Sequence, residues 1–108
     1  MQTNELQWSD QDKQLIQKIL QKAYTRETEA LIQEITQKVT LITDINDVWA
    51  LHDYLSTKRY DIDGKYDDRD STPIFALAQL IKQGWLSIDE LAELSSDKRA
   101  KIAALTRI

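Results

Sequence analysis

The sequence predicts an all-helical (all-α) protein: one long N-terminal helix followed by several shorter helices, in a single domain spanning residues 1–108. Two observations support this class. The 108 residues include only two Gly and one Pro, and apolar residues recur at spacings of three and four. β-Sandwiches and barrels need many tight turns, and Gly and Pro supply most of them. Their scarcity therefore favours long helices joined by few turns.

The first helix is predicted to begin after Ser9, whose side chain can cap free amide groups, and to run to about Ile42. Neither Gly nor Pro occurs in this stretch. A helix of about 32 residues is about 48 Å long at 1.5 Å per residue. A compact chain of this size has a radius of gyration of only about 13 Å. One chain therefore cannot cover such a helix along its whole length.

Two apolar stripes follow this helix, separated by the polar stretch 25–29. The first consists of Leu15, Ile16, Ile19, Leu20 and Ala23, and the second of Leu31, Ile35, Val39 and Ile42. At about 100° per residue they lie at different azimuths, which predicts two packing partners or a bend that wraps the helix around its own core. The simplest account packs one half within the chain and the other against a second copy. We therefore expect a homodimeric helical assembly.

Four shorter helical segments are expected after a break at residues 43–47. One runs from Asp47 to about Asp63, or through Gly64 to about Arg69, and the sequence does not decide between these ends. The next begins at the string Ser71-Thr72-Pro73, because Pro is tolerated at the first helical position, and Gly84 terminates it. It is nearly all apolar and is predicted to be the most buried. The chain ends with a short helix after the Ser87–Glu90 capping box and a last helix starting near Ser95.

Composition excludes several classes of function. The net charge is −4 with both signs interspersed, so there is no basic surface for nucleic acid. The absence of Cys excludes disulfides, thiolate metal sites and thiol nucleophiles. No secretion signal and no apolar run of about 20 residues is found. We therefore expect a cytoplasmic protein with no cofactor and no small-molecule substrate.

The segment from Asp47 to Asp63 carries two side-chain faces. A core-facing stripe is formed by Val48, Leu51, Leu55 and Ile62. A second arc carries Trp49, Asp53, Ser56 and Tyr60, with His52 at its edge and Arg59 beside His52. Trp, Tyr and Arg often dominate protein interfaces. The alternative is that Trp49 packs against another helix, in its own chain or in a dimer mate, while Asp53 and Arg59 form a solvated pair. Spacing alone leaves both interpretations open.

Two stretches of the sequence resemble a catalytic or a metal-binding motif. His52 followed by Asp53 could suggest a general base with an orienting carboxylate. Adjacent residues on a helix point about 100° apart, so we expect no simple hydrogen bond between these two side chains. The acidic stretch 61–68 resembles a calcium loop, but Gly64 is fourth rather than sixth and the twelfth residue is Thr72 rather than Glu. The sequence predicts neither an enzyme nor a metal site.

Two long strings, WALHDYLSTKR at 49–59 and IDGKYDDR at 62–69, closely resemble the cyanobacterial fluorescence recovery protein family. The likeness extends to KAYTRE at 22–27, to Ile74 and Phe75, and to the Lys101-Ile102 pair. It therefore covers nearly the whole chain, and the strings are idiosyncratic enough to be specific.

The resemblance implies a dimeric, non-enzymatic regulator of photoprotection. Its partner would be the photoactivated red form of the orange carotenoid protein, which quenches excitation in the phycobilisome. The contact would be made through that partner's C-terminal domain. The regulator would speed return to the orange form and help release it, at the cytoplasmic face of the thylakoid. The family's partner-binding residues match Trp49, His52, Asp53, Arg59, Phe75 and Lys101. The alternative is a dimeric helical adaptor of the same family without a carotenoid-protein partner.

Overall fold

The computed structural model describes residues 8–67 and 73–108. These residues form four α-helices and one 3₁₀ turn, with no strand among them, so the predicted all-helical class is confirmed. The helices are α1 (Asp10–Thr40), α2 (Ile45–Lys65), α3 (Pro73–Lys82) and α4 (Ser96–Leu105), with the 3₁₀ turn at Ile88–Leu91 between α3 and α4.

The long first helix is confirmed and ends two residues earlier than predicted. The Ser9 hydroxyl accepts the Asp12 backbone N–H at 3.0 Å, and α1 continues for 31 residues to Thr40. This length, about 46 Å at 1.5 Å per residue, makes the chain elongated. The radius of gyration is 17.2 Å and the principal extents are 59 × 27 × 27 Å, against about 13 Å for the radius of gyration of a compact domain.

Helix α2 begins at Ile45, two residues before the predicted start, because Asp44 is its N-cap. The Asp44 carboxylate accepts the Asp47 backbone N–H at 3.2 Å, and the Asp47 carboxylate accepts the Thr43 N–H at 3.0 Å. At its other end α2 runs through Gly64 and stops at Lys65. Of the predicted boundary signals, Arg69, Ser71 and Thr72 lie outside the described residues, whereas Pro73 is the first residue of α3 as expected.

One hydrophobic core joins the first half of α1 to α3, the 3₁₀ turn and α4; we call this part the head. The first apolar stripe faces that core, as the sequence predicted, with Ile16, Ile19 and Ala23 buried. The other buried core residues are Leu77, Ala78, Leu80, Leu86, Leu91, Leu94 and Ile102. Helix α3 supplies three of them within ten residues, in agreement with the prediction that it is the most buried.

The link between α3 and α4 is built from backbone caps. Gly84 has a φ of +87°, and its N–H donates to the Ile81 carbonyl while the Trp85 N–H donates to the Leu80 carbonyl. This pair of bonds is a Schellman motif, which ends α3 as predicted. The predicted short helix after Ser87 is a single 3₁₀ turn, in which the Glu90 carboxylate accepts the Ser87 N–H at 3.0 Å.

Polar contacts tie the head's periphery to α1. The Arg26 guanidinium donates to the Trp85 carbonyl at 2.9 Å and to the Glu90 carboxylate at 2.8 Å. Near the N-terminal end of α1, the Lys98 ammonium pairs with Asp12 at 3.0 Å and lies 5.0 Å from the centre of the Trp8 ring. These contacts attach the 3₁₀ turn to α1 at Arg26 and α4 to α1 at Asp12, near the two ends of the part of α1 that lies in the head.

Residues 28–61, which we call the arm, contribute nothing to that core. They comprise the second half of α1 and most of α2, running antiparallel, since Glu34 contacts Tyr54 while Glu27 contacts Lys65. The second apolar stripe is only partly covered: Val39 is exposed and its other members are half-buried. The predicted core stripe of α2 is likewise wrong for most of its length, since Ile62 alone of its four members is buried and Val48 is exposed.

Candidate functional site

Four of the six predicted site residues lie on α2 and point into solvent. Trp49 is 57% exposed, and His52, Asp53 and Arg59 are more exposed still. Trp49 and Asp53 are one helical turn apart, and His52 and Arg59 are two turns apart. We call these four residues the α2 surface; it extends about 15 Å along the helix at 1.5 Å per residue.

Among the described residues, the polar members of the α2 surface form ion pairs only within α2. His52 Nδ1 lies 3.3 Å from Asp53 Oδ1, so the expectation that these neighbours form no simple hydrogen bond is wrong. The contact forms because both side chains extend freely beyond the helix, where their rotamers can converge despite the angle between their Cα–Cβ bonds. Arg59 pairs with Asp63 one turn along α2, at 3.6 Å, and not with Asp53. Such exposed contacts add about 0–1 kcal/mol to stability.

The other two predicted residues, Phe75 and Lys101, lie in the head. Phe75 is on α3 and Lys101 is on α4, and both side chains are exposed. We call this pair the head surface. Among the described residues, no hydrogen bond or ion pair joins the head surface to the α2 surface. The predicted site is therefore divided between two parts of the molecule.

Between these parts lies a polar cluster, buried at Glu27 and exposed at Gln83, that spacing alone did not reveal. Glu27 on α1 is only 3% exposed, and its carboxylate accepts the Lys65 ammonium at 2.7 Å and the Tyr66 hydroxyl at 2.8 Å. Lys65 also donates to the Gln83 side-chain oxygen at 2.7 Å, at the end of α3. We call Glu27, Lys65, Tyr66 and Gln83 the junction. Burial and the neighbouring Glu27 carboxylate raise the pKa of Tyr66 well above its usual range.

The sequence does contain a signal for the junction. Glu27 follows Ala23 by four residues, as Ala23 follows Ile19, so the first apolar stripe ends in a carboxylate. Glu27 lies in the polar stretch 25–29 expected to separate the two stripes, and a Glu is rarely buried without a partner. Its partner is 38 residues away in the chain, and helical spacing cannot reveal a contact between two helices.

A second polar contact links the helices within the arm. The Tyr54 hydroxyl on α2 donates to both carboxylate oxygens of Glu34, at 2.9 and 2.8 Å. The Lys38 ammonium lies 4.5 Å from the centre of the Tyr54 ring and 3.7 Å from the Glu34 carboxylate. Tyr54 neighbours Asp53 on α2, so this contact anchors the helix beside the α2 surface.

The described part of the chain carries no grouping suited to a metal. Residues 61–65 are the last turn of α2 rather than a loop, and Asp68 falls outside the described residues. Nowhere in 8–67 or 73–108 do three His, Cys, Asp or Glu side chains converge to hold an ion. Among the same residues, no helix has both the length and the apolar character needed to cross a bilayer.

Comparison with known proteins identifies the family. Residues 8–106 match the sequence model of the photoprotection regulator fluorescence recovery protein. The fluorescence recovery protein of Synechocystis sp. PCC 6803 is 46% identical over 108 residues, which is all of this chain and 99% of that protein.

The fold of this chain is also similar to the folds of solved structures. The fluorescence recovery protein of Fremyella diplosiphon superposes with a TM-score of 0.88 at 48% identity, covering 94% of this chain and all of that one. The Synechocystis structure gives 0.87 at 46% identity with the same coverage. With sequence and fold in agreement over nearly the full length, the chain belongs to the fluorescence recovery protein family of photoprotection regulators.

Proposed function

We propose that this chain binds the photoactivated red form of the orange carotenoid protein through that partner's C-terminal domain. Binding accelerates the partner's return to the orange form and helps release it from the phycobilisome, which ends energy quenching. The protein acts without chemistry of its own, from the cytoplasm at the thylakoid face. Family membership supports the regulatory role, and the residues of the α2 surface support the mode of binding.

The observation that carries the proposal is the exposure of Trp49. An indole more than half exposed, at 57%, contributes little to the fold of its own chain. The His52 imidazole and the Asp53 carboxylate lie within about one turn of Trp49 on α2, and the Arg59 guanidinium follows about 15 Å along the helix. Among the described residues, these polar groups form ion pairs only within α2. A large exposed apolar side chain on a face that also carries polar groups is typical of an interface hot spot. Trp49 supplies contact area, while Asp53 and Arg59 fix the register of the bound partner.

A binder accelerates a conformational change only when it stabilises the transition state more than the starting state. A threefold to thousandfold acceleration requires about 0.6–4 kcal/mol of such preference. The loss of one or two hot-spot contacts is of the same size. The α2 surface is therefore large enough to account for the proposed activity without any catalytic group.

We further propose that the functional unit is a homodimer held together by the arm. Several apolar side chains of the arm are solvent-exposed in the single chain: Ile32, Val39, Leu41, Ile45 and Val48. Monomeric proteins rarely expose so many large aliphatic residues in one region. A second copy packed along the arm would cover these side chains. It would also explain why α1, with 31 residues, extends beyond the core of its own chain.

Dark recovery of the photoconverted orange carotenoid protein tests the proposal. The absorbance of the red form is followed after illumination stops, with and without this protein. We expect faster decay of the red form in its presence, and co-elution of the two proteins on size exclusion while the red form persists. Unchanged decay without co-elution would favour the adaptor interpretation, in which Trp49 and Asp53 serve only contacts between copies.

A further inference from the structure

The α2 surface and the head surface are separated by the junction, and the junction's chemistry suggests what it does. Glu27 and Lys65 form an ion pair whose side chains are 3% and 14% exposed. Burying two charges is costly, and replacing such a pair with apolar side chains of similar volume is often neutral or stabilising. Stability alone is thus a weak reason for a charged pair at this position, and orientation is the stronger one.

The bonds of the junction link three helices at one point. Glu27 holds the end of α2 through Lys65 and Tyr66, and Lys65 continues to Gln83, the residue after α3. Apolar contacts permit sliding, whereas an ammonium shared between two oxygens at 2.7 Å fixes both direction and distance. These bonds therefore fix the end of α2 to the head, in addition to the contacts of α2 with α1 along the arm.

We propose that Glu27, Lys65 and Gln83 are positioning residues, which hold the α2 surface and the head surface at one fixed separation so that a single partner engages both. This inference rests on the proposed function. Two surfaces held rigidly behave as one bivalent site, because contact at the first raises the effective concentration of the second. A loosened junction leaves each surface intact but removes that advantage.

The first test measures separation directly and needs no partner. The chain has no Cys, so spin labels can be attached to single cysteines at Thr57→Cys on α2 and Ala104→Cys on α4, both exposed positions. Dilution with unlabelled chain restricts the signal to distances within one chain. In the wild-type protein we expect one narrow distance distribution by pulsed electron paramagnetic resonance.

The decisive variant replaces the ion pair with apolar residues, Glu27→Leu with Lys65→Leu. We expect unchanged helix content and a distance distribution at least about twice as wide. Gln83→Ala removes only the hydrogen bond from Lys65 to the end of α3 and should widen the distance distribution less than the double variant does. The control changes two exposed charges outside the junction, Glu29→Leu on α1 and Lys82→Leu on α3, and should keep the wild-type width. A wild-type width in the double variant overturns the proposal; should that variant lose helicity, Gln83→Ala decides in the same way.

The second test asks whether the two surfaces cooperate. In the wild-type background we expect Phe75→Ala to weaken binding of the red orange carotenoid protein about tenfold, or 1.4 kcal/mol. In a protein that also carries Glu27→Leu and Lys65→Leu, Phe75→Ala should weaken binding of the red form less than threefold. Equal losses in both backgrounds contradict the positioning role. If the wild-type protein does not bind at all, the proposed function fails, whereas the distance measurement still judges the junction.

Discussion

The Tyr54 hydroxyl lies within 2.9 Å of both carboxylate oxygens of Glu34, joining α2 to α1 in the middle of the arm. No residue of the arm belongs to the buried core. Polar contacts of this kind, with half-buried aliphatic side chains, therefore hold the two helices together where a hydrophobic core does not. The α2 surface depends on them because Tyr54 is the next residue after Asp53.

Tyr54→Phe tests this dependence. The substitution removes the hydroxyl and keeps the ring, so we expect a loss of about 1 kcal/mol in the stability of the arm. Amide hydrogen exchange should become faster in α2 and stay unchanged in α3 and α4. Tyr60→Phe is the matched control, since Tyr60 lies on the same helix and is 81% exposed. Equal protection in the two variants would contradict the role given to Tyr54.

Ile32→Glu tests self-association through the arm. Ile32 is 61% exposed in the single chain, so a carboxylate there should leave the fold of the monomer intact. Buried against a second copy, the same charge would be strongly unfavourable. We expect sedimentation velocity to show a dimer for the wild type and at least about tenfold weaker association, 1.4 kcal/mol, for the variant.

The control for that measurement is Gln33→Glu, which adds a charge at a neighbouring exposed position. Gln33→Glu is expected to remain dimeric. An Ile32→Glu protein that associates as tightly as the wild type would show that the arm is not the contact between copies.

The two glycines predict stability changes of opposite sign. Gly84 has a φ of +87°, which an L side chain adopts only with strain, so Gly84→Ala should destabilise the protein by about 1–2 kcal/mol. Gly64 lies within α2, and nothing is within 4 Å of the position that a Cβ would occupy. Gly64→Ala should therefore stabilise the protein by about 0.5–1 kcal/mol. Thermal or urea unfolding measures both; the same sign for the two variants contradicts the structure.

The Glu90 carboxylate predicts a loss of stability in acid. Arg26 and the Ser87 N–H together lower its pKa from 4.5 to about 2. Because the pKa is lower in the folded chain, the contribution is complete above pH 4.5 and disappears as the pH falls from there towards 2. We expect it to be about 1 kcal/mol, given partial screening by solvent.

The measurement for Glu90 is urea unfolding at several pH values. Glu90→Gln should be less stable than the wild type at pH 7, and the difference should shrink as the pH approaches 2. A difference that does not vary with pH would mean that the ion pair with Arg26 contributes nothing.

Much of the fold was predictable because local signals determine it. Ser9 caps the helix that follows it, Pro73 starts α3, and Gly84 adopts the positive φ that ends it. The boundaries of α2 were harder. The helix begins at Ile45 rather than at the predicted Asp47, because Asp44 is its cap, and Gly64 is tolerated because the helix ends one residue later.

Burial in the arm and the junction was not predictable from spacing. Helical periodicity indicates which residues share a face, but it does not say what that face meets. Spacing therefore predicts that Val48 faces a core, which this part of the chain lacks, and it places the buried Glu27 in a polar stretch. For the α2 surface, spacing marked an off-core face of the helix, and the exposure of Trp49 supports the choice of that face. Its partner-binding role remains a prediction.

Dark recovery of the photoconverted orange carotenoid protein with wild type and Trp49→Ala tests the central proposal most directly. Gln14→Ala, on an exposed position of α1 in the head, serves as the control variant. The proposal predicts that the wild type and Gln14→Ala accelerate the decay of the red form, while Trp49→Ala loses about tenfold or more of that acceleration and stays as oligomeric as the wild type. Full acceleration by Trp49→Ala, or none by the wild type, would contradict it.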